Sequence, residues 1–363
     1  MSKLRVGIVG VGTISGIYLK NLTGVFSDRV DVVGCADIDA SRAKQAATDY
    51  NLKYAFDSPE ELINSDEIDL VLNLTIPKAH YDVCRAAVDA GKHTYVEKPL
   101  CVETEEATQL LAAAEKTGVR VGSAPDTFLG GGVQTCRKLI DDGWIGTPIG
   151  ATAFMLGHGP ESWHPAPEFY YKKGGGPMFD MGPYYLTALV NLVGPVDAVT
   201  GAARTSFETR TITSEPLYGT EVTVETPTHV TGTLEFQNGA VGTIITSFDV
   251  WASALPRIEI YGTEGSLSVP DPNTFGGPVR LRRAGASEWS ELPLSHGHSE
   301  NSRGLGVADI ADAVAASRPH RASGALAAHV LEIMHGIHIS SDSGNRYTLE
   351  HRGEQPEQLP QQF

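Results

Sequence analysis

Short apolar runs alternate with stretches of helical spacing along the first third of the chain, and this alternation predicts a parallel sheet covered by helices on both faces. Leu4 to Val9 is an apolar run that stops at Gly10, and Ser15 to Leu22 follows with helical period. Val30 to Ala36 is a second β-rich run, ended by Asp37. The next helix places Ala43, Ala46 and Ala47 on one side. The alternation continues through a strand at Leu70 to Leu74, a helix from about Lys78 to Ala90, a strand at Thr94 to Val96, a helix from about Thr104 to Thr117 and a strand at Val119 to Ser123.

The period then changes. After a helix from about Gly132 to Asp141, strand-like segments follow one another at Ile149 to Leu156, Val196 to Phe207, Thr228 to Phe236, Ala240 to Phe248, Ile258 to Tyr261, Ser266 to Val269 and Val279 to Arg282. Turn signals such as Gln237-Asn238-Gly239 separate them. An apolar helix, Leu186 to Val193, interrupts the series, with Pro183 expected in its first turn. Helices return at Leu305 to Ala316 and Ser323 to Ser340, and Arg346 to Leu349 adds a strand. The expected fold is α/β, with an N-terminal doubly wound parallel sheet over residues 1–125. A C-terminal α+β domain on a large, mostly antiparallel sheet follows over 126–350. The polar, proline-bearing stretch 351–363 is expected to be a flexible tail.

Composition narrows the partners. The 363 residues are 41% hydrophobic and carry 28 basic against 44 acidic side chains, a formal charge of −16. Such a field repels a phosphate backbone and an anionic membrane, so neither nucleic acid nor membrane is expected as a partner. The N-terminal apolar run is too short for a signal peptide, and the expected location is cytoplasmic. Cys35, Cys84, Cys101 and Cys136 stand far apart, without the spacing of a zinc or redox pair, and are read as reduced and mostly buried. No histidine set suggests a metal.

The first turn carries chemistry. Gly10-Val11-Gly12-Thr13-Ile14-Ser15 joins the first strand to the first helix, where a G-x-G pattern gains meaning. Gly10 permits the tight turn, and Gly12 lets a pyrophosphate approach the N–H groups at the helix start, beside Thr13 and Ile14. Ser15 replaces the usual third Gly or Ala. Asp37, at the end of the second strand, is placed to accept hydrogen bonds from the adenosine ribose hydroxyls. A carboxylate there favours NAD over NADP, although Arg42 offers an alternative contact for a 2′-phosphate. Thr75-Ile76-Pro77 falls at the carboxyl edge of the sheet, where ligands of such folds bind.

Together with the glycine turn and the Thr75 to His80 segment, Gly91-Lys92-His93-Thr94-Tyr95-Val96-Glu97-Lys98-Pro99 resembles the glucose–fructose oxidoreductase, inositol dehydrogenase and rhizopine-catabolism (Gfo/Idh/MocA) family over residues 4 to 349. The resemblance implies a Rossmann cofactor domain followed by a substrate domain whose open sheet often mediates assembly; an exposed sheet needs protection, so a homodimer or homotetramer is expected. It implies that Thr75, Pro77, His80, Glu97 and Lys98 border the cofactor. Lys98 is implied to be catalytic or substrate-orienting, beside a cis peptide to Pro99.

A second segment, Gly174-Gly175-Gly176-Pro177-Met178-Phe179-Asp180-Met181-Gly182-Pro183-Tyr184, resembles the family's glycine cluster followed by an aspartate and, four residues later, a histidine or tyrosine. Tyrosine marks one branch. Residues four apart lie one helical turn apart, so Asp180 and Tyr184 are expected to point into one cleft. A phenol titrating near about 10 is a poor base at neutral pH, but an ammonium such as Lys98 favours its phenolate. The implied division of labour has Tyr184 moving the hydroxyl proton, Lys98 holding the oxygen and Asp180 orienting the substrate or the lysine; a helix cap is the alternative for Asp180. Trp163 and His164 are candidates for a sugar-binding wall. The expected reaction is NAD(P)-dependent hydride transfer to or from a sugar, polyol or cyclitol. Transient redox in a glycosidase or isomerase, and a non-catalytic sugar sensor, are the alternatives.

Overall fold

In the computed structural model, which describes residues 3–363, the first strand forms where the apolar run predicts it and stops where glycine frees the backbone. β1 (Leu4–Val9), α1 (Ser15–Thr23), β2 (Val30–Ala36), α2 (Ala40–Asp49), β3 (Tyr54–Ala55), α3 (Pro59–Ile63), β4 (Leu70–Asn73), α4 (Pro77–Asp89), β5 (His93–Val96), α5 (Thr104–Thr117) and β6 (Val121–Ser123) follow in order. The strands make a six-stranded sheet in the order β3-β2-β1-β4-β5-β6, every pair parallel. β1 and β4 are almost wholly buried, as strands covered on both faces must be. Two elements of this part escaped the sequence reading: β3 has two residues, and α3 is one turn started by the Ser58 hydroxyl, which accepts from Glu61 N–H.

The second part opens with α6 (Gly131–Asp141), β7 (Pro148–Leu156) and α7 (Gly176–Val193). There follow β8 (Val196–Arg204), β9 (Thr209–Thr211), β10 (Glu221–Thr223), β11 (His229–Phe236), β12 (Val241–Ser247), β13 (Ile258–Gly262), β14 (Gly265–Val269), β15 (Val279–Arg283) and β16 (Ser290–Leu292). α8 (Leu305–Ala315), α9 (Gly324–Ser343) and β17 (Tyr347–Thr348) complete the chain. The large sheet runs β16-β15-β14-β13-β7-β12-β11-β8-β17 and is antiparallel except for the β7–β12 pair. Alternation sets its two faces. Ala151, Ile244, Val230 and Leu267 point into the core, while Thr152, Thr243, Thr233 and Thr200 stand in register across four strands on the opposite face.

Two compact units result, and their boundaries differ from the expected ones. The first joins the residues up to Leu129 with Glu300–Leu331; the second joins Gly130–Ser299 with Glu332–Phe363. Residues 300–331 belong to the first unit because buried polar contacts tie them there. Asp126 accepts hydrogen bonds from Gly304 N–H and Gly306 N–H, and Arg120 donates to the carbonyls of Arg318 and Ala313. Asp309, buried in α8, pairs with Arg318 and Arg321.

The final stretch also departs from expectation. Leu359 is buried, its N–H donates to Gln134 Oε1, and its carbonyl lies 3.0 Å from His296 Nε2. Arg137 donates to Pro356 O, and Gln355 donates to Asn191 O. A polar composition predicts fraying only when the polar groups lack protein partners, and here they have them. Among the described residues, no helix is long and apolar enough to cross a membrane.

Candidate active site

The glycine turn is built as the sequence requires. Gly10 has φ +93°, and a Cβ there would lie 2.8 Å from the Leu74 carbonyl group. Gly12 is exposed, and a Cβ there would meet no protein atom within 4 Å. The first glycine is thus demanded by backbone packing, whereas the second keeps clear a space that the protein leaves unfilled. Ser15 fits the third position because its hydroxyl turns inward and donates to Gly12 O at 2.7 Å. Thr13 and Ile14 lead into α1, whose first N–H groups have no side-chain cap.

Asp37 follows β2 directly. Its Oδ2 accepts from Val11 N–H at 2.8 Å, and its Oδ1 accepts from Asp39 N–H at 2.9 Å. The carboxylate is thereby fixed at the head of the glycine turn, and each oxygen retains lone-pair capacity. Ile38, 98% exposed, and Ile76 offer apolar surface on the loops after β2 and β4. A glycine turn that leaves room for phosphate oxygens, a fixed carboxylate and exposed apolar side chains form a donor set that fits a dinucleotide.

Beyond β4, Asn73 Oδ1 accepts from both Thr75 N–H and Thr75 Oγ1, which shapes the turn ahead of Pro77 at the start of α4. His80 is 1% exposed, with one ring nitrogen on Pro99 O and the other on Thr75 O. Both ring nitrogens thus face backbone carbonyls of the loops on either side. Glu97 Oε1 accepts from Tyr18 OH, and its Oε2 accepts from Lys98 N–H. The Lys98–Pro99 peptide is cis.

In the second unit, Asp180 and Tyr184 both lie inside α7, which begins ten residues before Leu186. The alternative of Asp180 as a helix cap is thereby removed: the cap position is Gly175, and Pro177 occupies the first turn. The glycines explain the early start. A Cβ on Gly175 would lie 2.6 Å from Phe169 O, and one on Gly176, at φ +86°, would lie 2.9 Å from Pro227 O. Pro183 sits within the helix and supplies no N–H to the Phe179 carbonyl. Asp180 and Tyr184 occupy one face, four residues apart; Asp180 is half-buried and Tyr184 is 7% exposed.

Trp163 and His164 lie on the loop after β7. Trp163 is 65% exposed. His164 packs edge-on to Trp163, Phe169 and Tyr170, and its Nδ1 accepts from Ala166 N–H, leaving Nε2 as the donor of the neutral ring. A buried ionic cluster that sequence reading missed anchors this loop. Arg210 on β9 donates to Glu161, Asp249, His158 O and Phe248 O, while Tyr171 OH donates to Glu161. Burial, reinforced by Glu161, drives the Tyr171 phenol upward. Its members are spread over residues 158 to 249, so no local pattern announces it. All four cysteines are buried and free.

A family model described as an oxidoreductase family with an NAD-binding Rossmann fold matches residues 4–124, and a Gfo/Idh/MocA C-terminal domain model matches residues 133–268. The chain belongs to the Gfo/Idh/MocA family. Within it, a 1,5-anhydro-D-fructose reductase from Ensifer adhaerens is 28% identical over 298 residues, 80% of this chain and 83% of that one. An inositol 2-dehydrogenase from Salmonella typhimurium is 36% identical over 154 residues, 40% of this chain and 44% of that one. Levoglucosan dehydrogenase in complex with NADH superimposes with a TM-score of 0.83 at 20% identity, covering 96% of this chain and all of the other, a likeness of fold. This Gfo/Idh/MocA chain therefore has the N-terminal NAD-binding fold and the large C-terminal sheet expected from the sequence.

Proposed function

We propose that this chain is an NAD-dependent dehydrogenase that transfers a hydride between nicotinamide and a hydroxyl or carbonyl carbon of a sugar, polyol or cyclitol. The observation that carries the cofactor choice is the Asp37 carboxylate, held beside the glycine turn by Val11 N–H and Asp39 N–H. A fixed negative charge there accepts from ribose hydroxyls and repels a 2′-phosphate. Gly10, Gly12, Thr13 and Ile14 would hold the pyrophosphate, and Asp37 the adenosine ribose, with Thr75, Pro77, Glu97 and Lys98 nearer the nicotinamide end. When bound, the nicotinamide ring accepts or returns the hydride.

The names of the Ensifer and Salmonella relatives support a substrate of the sugar or cyclitol class. Lys98 and Tyr184 are assigned to one reaction: the lysine ammonium donates to the reacting oxygen, and the phenol of Tyr184 takes or gives the hydroxyl proton. Asp180 orients, and Trp163 and His164 supply an apolar wall and a donor for a sugar. The exposed Thr200, Thr233 and Thr243 on the large sheet, with Val241 52% exposed beside them, support a homodimer or homotetramer that covers this face.

A screen of sugars, inositols and their keto forms with NAD(H) and NADP(H), read at the nicotinamide absorbance, tests the assignment. Turnover with NAD is expected, and tighter binding of NADP than of NAD would overturn the cofactor choice. Tyr184→Phe and Lys98→Ala should each lower kcat by about a hundredfold or more. Full turnover in either variant would remove that residue from the chemistry.

A further inference from the structure

His80 is buried on α4, and its ring spans two loops of the first unit. Nδ1 lies 2.6 Å from Pro99 O and Nε2 lies 3.1 Å from Thr75 O. We assign the ring proton to Nδ1, the nitrogen with the shorter contact, which then donates to the carbonyl of Pro99. The Nε2 edge packs on the turn that begins at Thr75. The same short stretch is tied from other sides. Glu97 N–H donates to Asn73 O at 3.0 Å, Asn73 Nδ2 donates to His80 O at 3.1 Å, and Lys98 N–H donates to Glu97 Oε2 at 2.9 Å. Glu97 is itself held at 2.8 Å by Tyr18 OH.

We propose that His80 is a positioning residue for Lys98: its Nδ1–H holds the Pro99 carbonyl and so fixes the backbone from which the lysine side chain projects. This inference rests on the assignment of Lys98 to the reaction. Its logic is that a lysine on a four-carbon stem delivers its charge to one place only if the backbone beneath it is fixed on both sides. Glu97 fixes the N–H of residue 98, and His80 fixes the carbonyl of residue 99. Neither side chain needs to touch substrate or cofactor.

The two ring nitrogens allow a test by shape. In His80→Asn the side-chain amide falls where Nδ1 lies and can still donate to Pro99 O. In His80→Gln the amide falls where Nε2 lies and reaches only towards Thr75. His80→Ala and His80→Gln should lose kcat by about thirty- to a hundredfold, and His80→Asn should recover to within about threefold of the parent, with NAD affinity changed by less than about threefold in all three. Equal losses in the Asn and Gln variants, at melting temperatures close to the parent, would overturn the proposal. So would an NAD dissociation constant that rises in step with the loss of kcat, because a direct cofactor contact predicts that pattern.

A readout independent of turnover is the imidazole NMR spectrum of the protein without cofactor, where a slowly exchanging Nδ1–H signal is expected. An unprotonated Nδ1 would end the proposal. In a Lys98→Ala background, His80→Ala should cost nothing further. If Lys98→Ala itself keeps full turnover, the catalytic assignment fails, a result distinct from a failed Asn rescue in an enzyme that does need Lys98.

Discussion

Gly10 and Gly12 look alike in sequence, yet a methyl group would meet different surroundings at each. At Gly10 it would press on the Leu74 carbonyl, in a backbone conformation that side-chain-bearing residues rarely adopt. Gly10→Ala should therefore destabilise the protein by about 1–3 kcal/mol in urea unfolding. At Gly12 the methyl would occupy only the space proposed for the pyrophosphate. Gly12→Ala should leave unfolding within about 0.5 kcal/mol of the parent and weaken NAD binding by about tenfold or more, read by cofactor titration. The opposite ranking would show that the turn serves packing alone. The pair was legible from the G-x-G spacing, but the separation of roles was not, because it depends on what β4 brings against Gly10. The same holds for His80: its place beside the cofactor motif was readable, while its burial between two carbonyls required the fold.

Among the elements, α8 is capped by a buried carboxylate from outside the helix. Asp126 caps its start by accepting from Gly304 N–H and Gly306 N–H, and burial, partly offset by those bonds, pushes its pKa up to about 6. A raised carboxyl pKa stabilises the folded state fully below the unfolded value of 3.8 and is lost as pH rises through about 6. The unfolding free energy of the parent minus that of Asp126→Asn should thus be roughly 3 kcal/mol lower at pH 7 than at pH 3.5. A pH-independent difference would refute it. His320 acts with the opposite sign: burial lowers its pKa to about 4, so its contribution is lost as pH falls from 6.5 towards 4. Such pairings are invisible in a local window. α7 shows a different kind of blindness. Gly174 to Pro177 reads as a loop, yet proline in a first turn starts a helix as readily as it ends one, so Asp180 and Tyr184 lie deeper in the helix than the pattern suggested.

At the scale of the whole molecule, the alternating runs of the first 125 residues specified a parallel sheet, and the later strands specified an antiparallel one, because each period is set by a local backbone geometry. The return of residues 300–331 to the first unit is a long-range choice and left no periodic trace. It predicts that a fragment ending at Leu129 will not fold by itself: it lacks the Gly304 and Gly306 N–H groups that satisfy Asp126, and it lacks Ser323, which bridges to Gly122 on β6. Circular dichroism and thermal melting of residues 1–129, with and without residues 300–331 attached by a short flexible linker, should find a cooperative transition only in the joined form. The chain passes between the units after Leu129, after Ser299 and again within α9, after Leu331. Exchange of the cofactor-binding half between relatives therefore calls for three splice points, one of them inside a continuous helix. Recombination at a single junction would deliver a mismatched hybrid, so selection on nucleotide preference in this lineage is expected to proceed by point substitutions around Asp37.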